Sequence, residues 1–279
     1  MKKRIQQWLQ NKIGIGENQE KILILEKKIA SLSVLQQWSM DSVIPIPTIL
    51  LEKTKEALPD KYKSVNSNIH CSDPMFRYPL QVHGAEPLKV LKEYFLTGAE
   101  AADFISNHRP EAKKILDFGG GYGRVGRFLK VCFPKSQILI NDPKKSAVKF
   151  QINDFGYEID DHSPVDVIFA GSVFTHLPKN LFEKTLHQLM DRMIKGNALI
   201  LTLHQFIDED FIFYPYTEES AMPELEDSLD ESQYGSVYCS KEFFEYCLYS
   251  HKNGNKFKYS IDDSKSFGGT QQYLIVEQL

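Results

Sequence analysis

Cysteine is scarce in this chain: Cys71, Cys132, Cys239 and Cys247 are scattered through 279 residues with no Cys-x-x-Cys pair. That spacing excludes a compact zinc site and a secreted disulfide framework, and it suits reduced thiols in a cytoplasmic protein. Long apolar runs are missing too, none approaching the roughly 20 residues that a membrane-spanning helix needs. The start, Met1–Lys2–Lys3–Arg4, is basic, but Ile5–Gln6–Gln7–Trp8–Leu9–Gln10 is too polar for the apolar core of a signal peptide. Nor is positive charge in excess. With 33 Lys and Arg against 37 Asp and Glu, the formal charge is −4, which gives no electrostatic case for nucleic acid. No internal repeat or low-complexity tract is present.

What remains is an ordinary globular composition, 42% hydrophobic and 25% charged, long enough to bury a core without a disulfide or structural metal. Residues 1–40 read as helix broken at Gly14 and Gly16, with Ile22, Leu25, Ile29 and Leu32 on one face. Packing on its own domain, a homo-oligomer contact through these helices, and surface attachment through Trp8 and the basic first turn all stay open. Residues 41–94 form a substrate-side or cap region, containing a Pro-rich turn at 43–47 and Met75–Phe76–Arg77–Tyr78. A helix is predicted over 87–107.

From residue 95 a separate domain is expected to run to 279. Strands over 114–118, 137–141, 165–170 and 198–203 alternate with helices over 122–132, 144–154 and 178–194. Continuous apolar strands separated by helices mean an α/β fold with a parallel sheet covered on both faces. After a helix over 240–249, strands at 256–261 and 272–276 follow without a helix between them, so they should pair antiparallel.

The chemistry centres on Ile115–Leu116–Asp117–Phe118–Gly119–Gly120–Gly121–Tyr122–Gly123. Gly121–Tyr122–Gly123–Arg124–Val125–Gly126 matches the G-x-G-x-x-G dinucleotide fingerprint, with Asp142 near where a ribose-binding acid belongs. Asp117 decides between readings. A carboxylate beside a pyrophosphate is repelled, by about 1 kcal/mol in water and about 4 kcal/mol at a protein-like dielectric. A ligand carrying an ammonium and a sulfonium would be attracted instead. Asp142, ahead of Pro143, has a second reading as a helix cap.

Asp117 through Val125 resembles motif I of the class I S-adenosylmethionine-dependent methyltransferases. Asp166–Ala170 with Gly171–Ser172–Val173–Phe174–Thr175–His176–Leu177–Pro178 is similar to that family's fourth strand and following loop. Ser266 through Leu274 resembles the closing hairpin of a subgroup associated with glycan and cell-surface biosynthesis. The resemblance implies a Rossmann-like methyltransferase fold: a mostly parallel seven-stranded sheet with an antiparallel C-terminal hairpin, here with an N-terminal helical extension. It implies S-adenosyl-L-methionine as cofactor, contacted by Asp117, Gly119, Gly120, Gly121, Tyr122, Asp142, Gly171 and Ser172. The family carries an adenine-binding Asp between its third and fourth strands. That stretch is short here, leaving Asp160 or Asp161 for the role, or both as solvated loop acids.

The activity implied is methyl transfer to a small-molecule or glycan acceptor, expected at a hydroxyl of a sugar or glycan precursor. A hydroxyl needs a base, and His176 and His204 lie at ligand-facing strand ends. His176 reads first as a histidine that fixes its loop through the backbone and second as the base, whereas His162 and His187 read as surface residues. No metal is expected, since Gly171–Ser172 and His204–Gln205 stand where carboxylate ligands would be needed. The aromatics Phe206, Phe211, Phe213, Tyr214, Tyr216, Tyr234 and Tyr238 fit a sugar face, a lid, or a core that seals the sheet edge. Two rivals stand: an NAD-dependent oxidoreductase, and a non-catalytic partner protein of the same fold.

Overall fold

Alternating apolar side chains along three central strands divide the interior into two cores. In a computed structural model that describes residues 43–81, 86–216 and 234–279, these are β1 (Lys114–Phe118), β4 (Val167–Ala170) and β5 (Ala198–His204). Ile115, Val167, Phe169 and Ile200 point to one face; Leu116, Ile168, Leu199 and Leu201 point to the other. Successive strand residues face opposite sides, so unbroken apolar runs fit only a sheet covered twice.

The sheet has seven strands in the order β3-β2-β1-β4-β5-β9-β8, with β2 at Gln137–Asn141, β3 at Glu158–Ile159, β8 at Phe257–Phe267 and β9 at Gln271–Gln278. The first five strands are parallel, while β9 runs antiparallel to both neighbours. This is the mostly parallel sheet with an antiparallel C-terminal hairpin that the resemblance implies. The chain winds outward through β2 and β3, then returns to lay β4 beside β1. Strand order reverses there, and ligands of open α/β sheets bind outside the carboxyl ends at such a point. The bend 119–125 and the loop 171–178 both leave the sheet at that position.

The helices are α1 (Thr48–Glu56), α2 (Pro74–Gln81), α3 (Pro87–His108), α4 (Gly126–Cys132), α5 (Lys145–Phe155), α6 (Lys179–Met190) and α7 (Lys241–Tyr249). Pro87 opens α3 at a position where its missing N–H costs nothing. Its buried stripe includes Val90, Leu91, Tyr94 and Phe95. The expected domain boundary at 94/95 falls inside α3, and Tyr62, Ile69 and Phe76 share one core with α3 and α4. Arg127 in α4 fastens this region. Its guanidinium donates to the carbonyls of Asn66 (3.2 Å) and Asn68 (2.9 Å) and packs over the rings of Tyr94, Phe95 and Phe155. The expected N-terminal helices of residues 1–40 lie outside the described residues.

A second, two-stranded sheet pairs β6 (Phe211–Pro215) with β7 (Gly235–Cys239), where the sequence pattern predicts no strands. It is tied to the loop after β4: Gly235 N–H donates to the His176 carbonyl (3.0 Å) and Val237 N–H to that of Thr175 (2.8 Å).

Gly98 of α3 packs closely against the start of α4 and the residues just before it. A Cβ there would overlap the Arg124 carbonyl oxygen and stand 2.8 Å from the Phe128 ring. Gly98→Val is therefore expected to destabilise the fold by about 1–3 kcal/mol, the usual cost of overpacking. Urea unfolding should show a lower midpoint at constant slope; an unchanged midpoint would contradict this packing.

Candidate functional site

At the carboxyl ends of β1, β2 and β4 lies a cavity of about 440 Å³, within the range typical of small-ligand sites. The bend 119–125 forms its floor. Gly119, Gly121 and Gly123 have φ of 67°, 53° and 74°, a region that side chains other than glycine rarely adopt. Gly120 leaves room beneath it, since a Cβ at that position would run into the Asp117 carboxylate.

Asp117 is 1% exposed, and its Oδ2 is shielded from solvent without a hydrogen-bond partner. Burial, reinforced by the neighbouring Asp142, pushes its pKa up to about 7, against a smaller opposing pull from Arg124. A buried carboxyl in that state is held at a cost that a cation would relieve. Asp142 also lines the cavity. Its Oδ2 accepts Gly121 N–H (2.9 Å) and its Oδ1 accepts Lys144 N–H (2.8 Å). The capping reading of Asp142 thus describes part of its geometry, and each oxygen keeps a further lone pair. Burial raises its pKa as well, opposed by those two backbone bonds.

Three of the bend's own amides are spent. Gly119 N–H donates to the Asn141 carbonyl (2.7 Å) and Gly123 N–H to that of Gly120 (3.0 Å), and Gly121 N–H is taken by Asp142. Tyr122 contributes to the lining, with its ring stacked on His70 at 4.5 Å and its hydroxyl 2.9 Å from Ser146 Oγ. Asp73, Pro74 and Met75 supply the opposite wall, whereas Phe76 is in the core.

Gly171 and Ser172 border the cavity from the β4 side. Ser172 has φ of 60°, a strained conformation for a residue with a side chain. It is held by Thr202 Oγ1, which accepts Ser172 N–H (2.8 Å), and by Gln271, whose side chain bonds both hydroxyls. Strain kept by a dedicated network marks a loop whose shape matters.

His176 lines the cavity; His204 does not. The His176 Nδ1 sits 2.7 Å from the Gly235 carbonyl, which can only accept, so Nδ1 carries the proton. Burial lowers its pKa to about 4, so the ring is neutral at physiological pH with Nε2 as the lone-pair nitrogen. Its face stacks on Tyr234 at 4.6 Å. The His204 ring stacks on Tyr238, and burial lowers its pKa.

Asp160 departs from the expected cofactor set. It does not line the cavity; Arg192 grips both its oxygens at 2.9 and 2.7 Å, and Asn141 Nδ2 donates at 3.0 Å. Asp161 is paired with Lys114 at 2.8 Å. His187, expected at the surface, is half-buried with Nε2 2.8 Å from the Cys247 carbonyl. Among the described residues no cluster of three or more His, Cys, Asp or Glu is arranged to hold a metal, and no helix is long and apolar enough to cross a membrane. The aromatics divide: Phe206, Phe211 and Phe213 pack against the second core, while Tyr234 faces the cavity.

No family model and no curated protein matches the chain. Among solved structures it is similar to S-adenosylmethionine-bound CalS10, an amino pentose methyltransferase of Micromonospora echinaspora involved in calicheamicin biosynthesis. Identity is 13%, over 67% of this chain and 92% of that one, with a TM-score of 0.47. A DhpI–SAH complex is similar at 13% identity, over 84% and 98% of the two chains, TM-score 0.47. The N-terminal domain of EvdMO1 with SAH bound is similar at 14% identity, over 65% and 80%, TM-score 0.44.

Burial raises the Asp160 pKa, but the Arg192 fork and Asn141 outweigh it and hold the carboxyl below its ordinary value. Its stabilisation is therefore present above the unfolded value of about 4 and lost as pH falls through the folded one. Arg192→Met strands a carboxylate whose side chain is 1% exposed and is expected to cost about 3–5 kcal/mol at pH 7. Denaturation at several pH values should show that gap narrowing toward pH 3. A gap independent of pH would contradict the pairing.

Proposed function

We propose that this chain is an S-adenosylmethionine-dependent methyltransferase that methylates a hydroxyl on a sugar or glycan precursor. The observation that carries the reading is Asp117: a buried carboxyl without a partner, beneath a glycine bend at the switch point of the sheet. The orphaned oxygen and the space above Gly119 and Gly120 fit a ligand with a cationic tail. A dinucleotide fits poorly. Its diphosphate relies on free amides at this bend, and here three are already donating, one of them to a second carboxylate.

In this reading Asp117 and the backbone of Gly119, Gly120 and Gly121 receive the amino-acid end of the cofactor. Asp142 takes the ribose hydroxyls, Tyr122 borders the nucleoside, and Gly171 with Ser172 borders the methionine end. The cofactor supplies a methyl group already activated by positive sulfur, so the protein's task is alignment and proton removal. His176 accepts the acceptor's hydroxyl proton at Nε2, the nitrogen that the Gly235 carbonyl leaves unprotonated. Asp160 is left out of the set, and His204 takes a supporting place behind the cavity wall. Tyr216, whose hydroxyl lies 3.5 Å from His176 Nδ1, and Tyr234 offer polar-tipped faces of the kind that stack on sugar rings. The scattered spacing of Cys71, Cys132, Cys239 and Cys247, with no Cys-x-x-Cys pair, supports a reducing, cytoplasmic setting.

Calorimetry separates this reading from its oxidoreductase rival. S-adenosylhomocysteine is expected to bind in the micromolar range with no response to NAD; the reverse would overturn the proposal. Turnover of labelled methyl donor against nucleotide sugars and lipid-linked glycans addresses the acceptor.

His176→Asn then separates base from loop fastener. Asn keeps a donor for the Gly235 carbonyl but lacks the Nε2 lone pair, so kcat should fall by about 10²–10⁴ with little change in Tm. Unchanged kcat would assign His176 to the loop alone.

A further inference from the structure

Arg124 stands apart from the other arginines that are buried or half-buried. Arg127 is saturated by carbonyls and the Tyr94 hydroxyl, Arg192 is paired with Asp160 and Arg109 with Glu277. The guanidinium of Arg124 makes no hydrogen bond or ion pair with any described residue. It lines the cavity, with its Cζ 5.0 Å from the centre of the Phe267 ring.

The nearby acids do not satisfy it. Asp73 feels its charge, but the oxygens of Asp73 are taken by the Tyr94 hydroxyl (2.6 Å) and Met75 N–H (2.9 Å). Asp117 also feels its charge and likewise makes no bond to it. Five N–H donors in a planar fork, stacked on an aromatic ring and open to a cavity, match a carboxylate presented edge-on. Holding such a cation without a partner is costly unless a ligand supplies the anion.

Asp117 and Arg124 therefore present opposite charges to one cavity without neutralising each other. An α-amino acid tail carries the complementary pair on adjacent groups, an ammonium and a carboxylate. We propose that Arg124 is the receptor for the α-carboxylate of the cofactor's amino-acid tail, forming with Asp117 a two-point clamp for a zwitterion. The inference rests on the methyltransferase reading and adds a residue and a ligand group to it.

The test is calorimetric titration of S-adenosylhomocysteine and its decarboxylated analogue into wild type, Arg124→Lys and Arg124→Met. Wild type is expected to prefer the carboxylate form by about 10- to 100-fold, the range of a charged hydrogen bond. Arg124→Met should lose that preference by binding S-adenosylhomocysteine as weakly as the analogue, and Arg124→Lys should retain part of it. The Tm of unliganded Arg124→Met should be unchanged or higher, because a half-buried cation without an ion-pair partner is removed.

A preference that survives in Arg124→Met, or is absent from wild type, overturns the clamp. Absence from wild type decides the matter even if Arg124→Met does not fold. A carboxylate belonging to the acceptor would appear as wild-type indifference to decarboxylation together with loss of acceptor affinity in Arg124→Met, which also overturns the assignment. Failure of S-adenosylhomocysteine to bind wild type at all would instead bring down the methyltransferase reading itself.

Discussion

A carboxyl group held under a glycine bend, out of water and without a donor, is the constraint around which the cavity is organised. Asp117 is anchored on β1, at the centre of a sheet covered on both faces, so it cannot relax toward solvent without disturbing both cores. Its isolation is enforced from several sides. Gly120 must lack a Cβ to pass over it, Asp142 adds a second negative charge, and Arg124 balances the field without closing an ion pair. A site built this way discriminates by charge before shape. It favours cations near the bend and repels phosphates from it.

The walls follow from packing elsewhere in the chain. Asp73, Pro74 and Met75 line the cavity at the end of a segment whose backbone Arg127 fastens at Asn66 and Asn68. On the other side, the loop after β4 is fixed by strain and by clamps: Ser172 in a left-handed conformation, Thr202 and Gln271 holding it, and β7 bonded to Thr175 and His176. Two distant segments, one early and one late in the sequence, thereby fix the ligand space between them.

Much of this was legible in the sequence where the signal is local. β1 and β2 were read at their observed limits because each is a short apolar run bounded by polar residues. Asp117 could be singled out because its position relative to the glycines follows from the chain alone. The two-residue β3 is exposed on both residues and carries no apolar signal, and β6 and β7 pair across residues 216–234, too far for a turn motif to announce. Asp160 read as an adenine-binding candidate or a solvated loop acid because its partner Arg192 is 32 residues away. The tautomer of His176 likewise depends on a carbonyl 59 residues distant. Arg127 and Arg124, three residues apart on one segment, look alike in sequence, and only the structure separates the bolt from the open fork.

The most direct measurement is the ionisation of Asp117 itself, followed by carbon-13 NMR of a selectively labelled carboxyl across pH. In the free protein it should titrate near 7. With S-adenosylhomocysteine present, an ammonium beside it should bring the value to about 5 or lower, while NAD should produce no such fall. A titration that ignores S-adenosylhomocysteine, or that drops with NAD, would contradict the account.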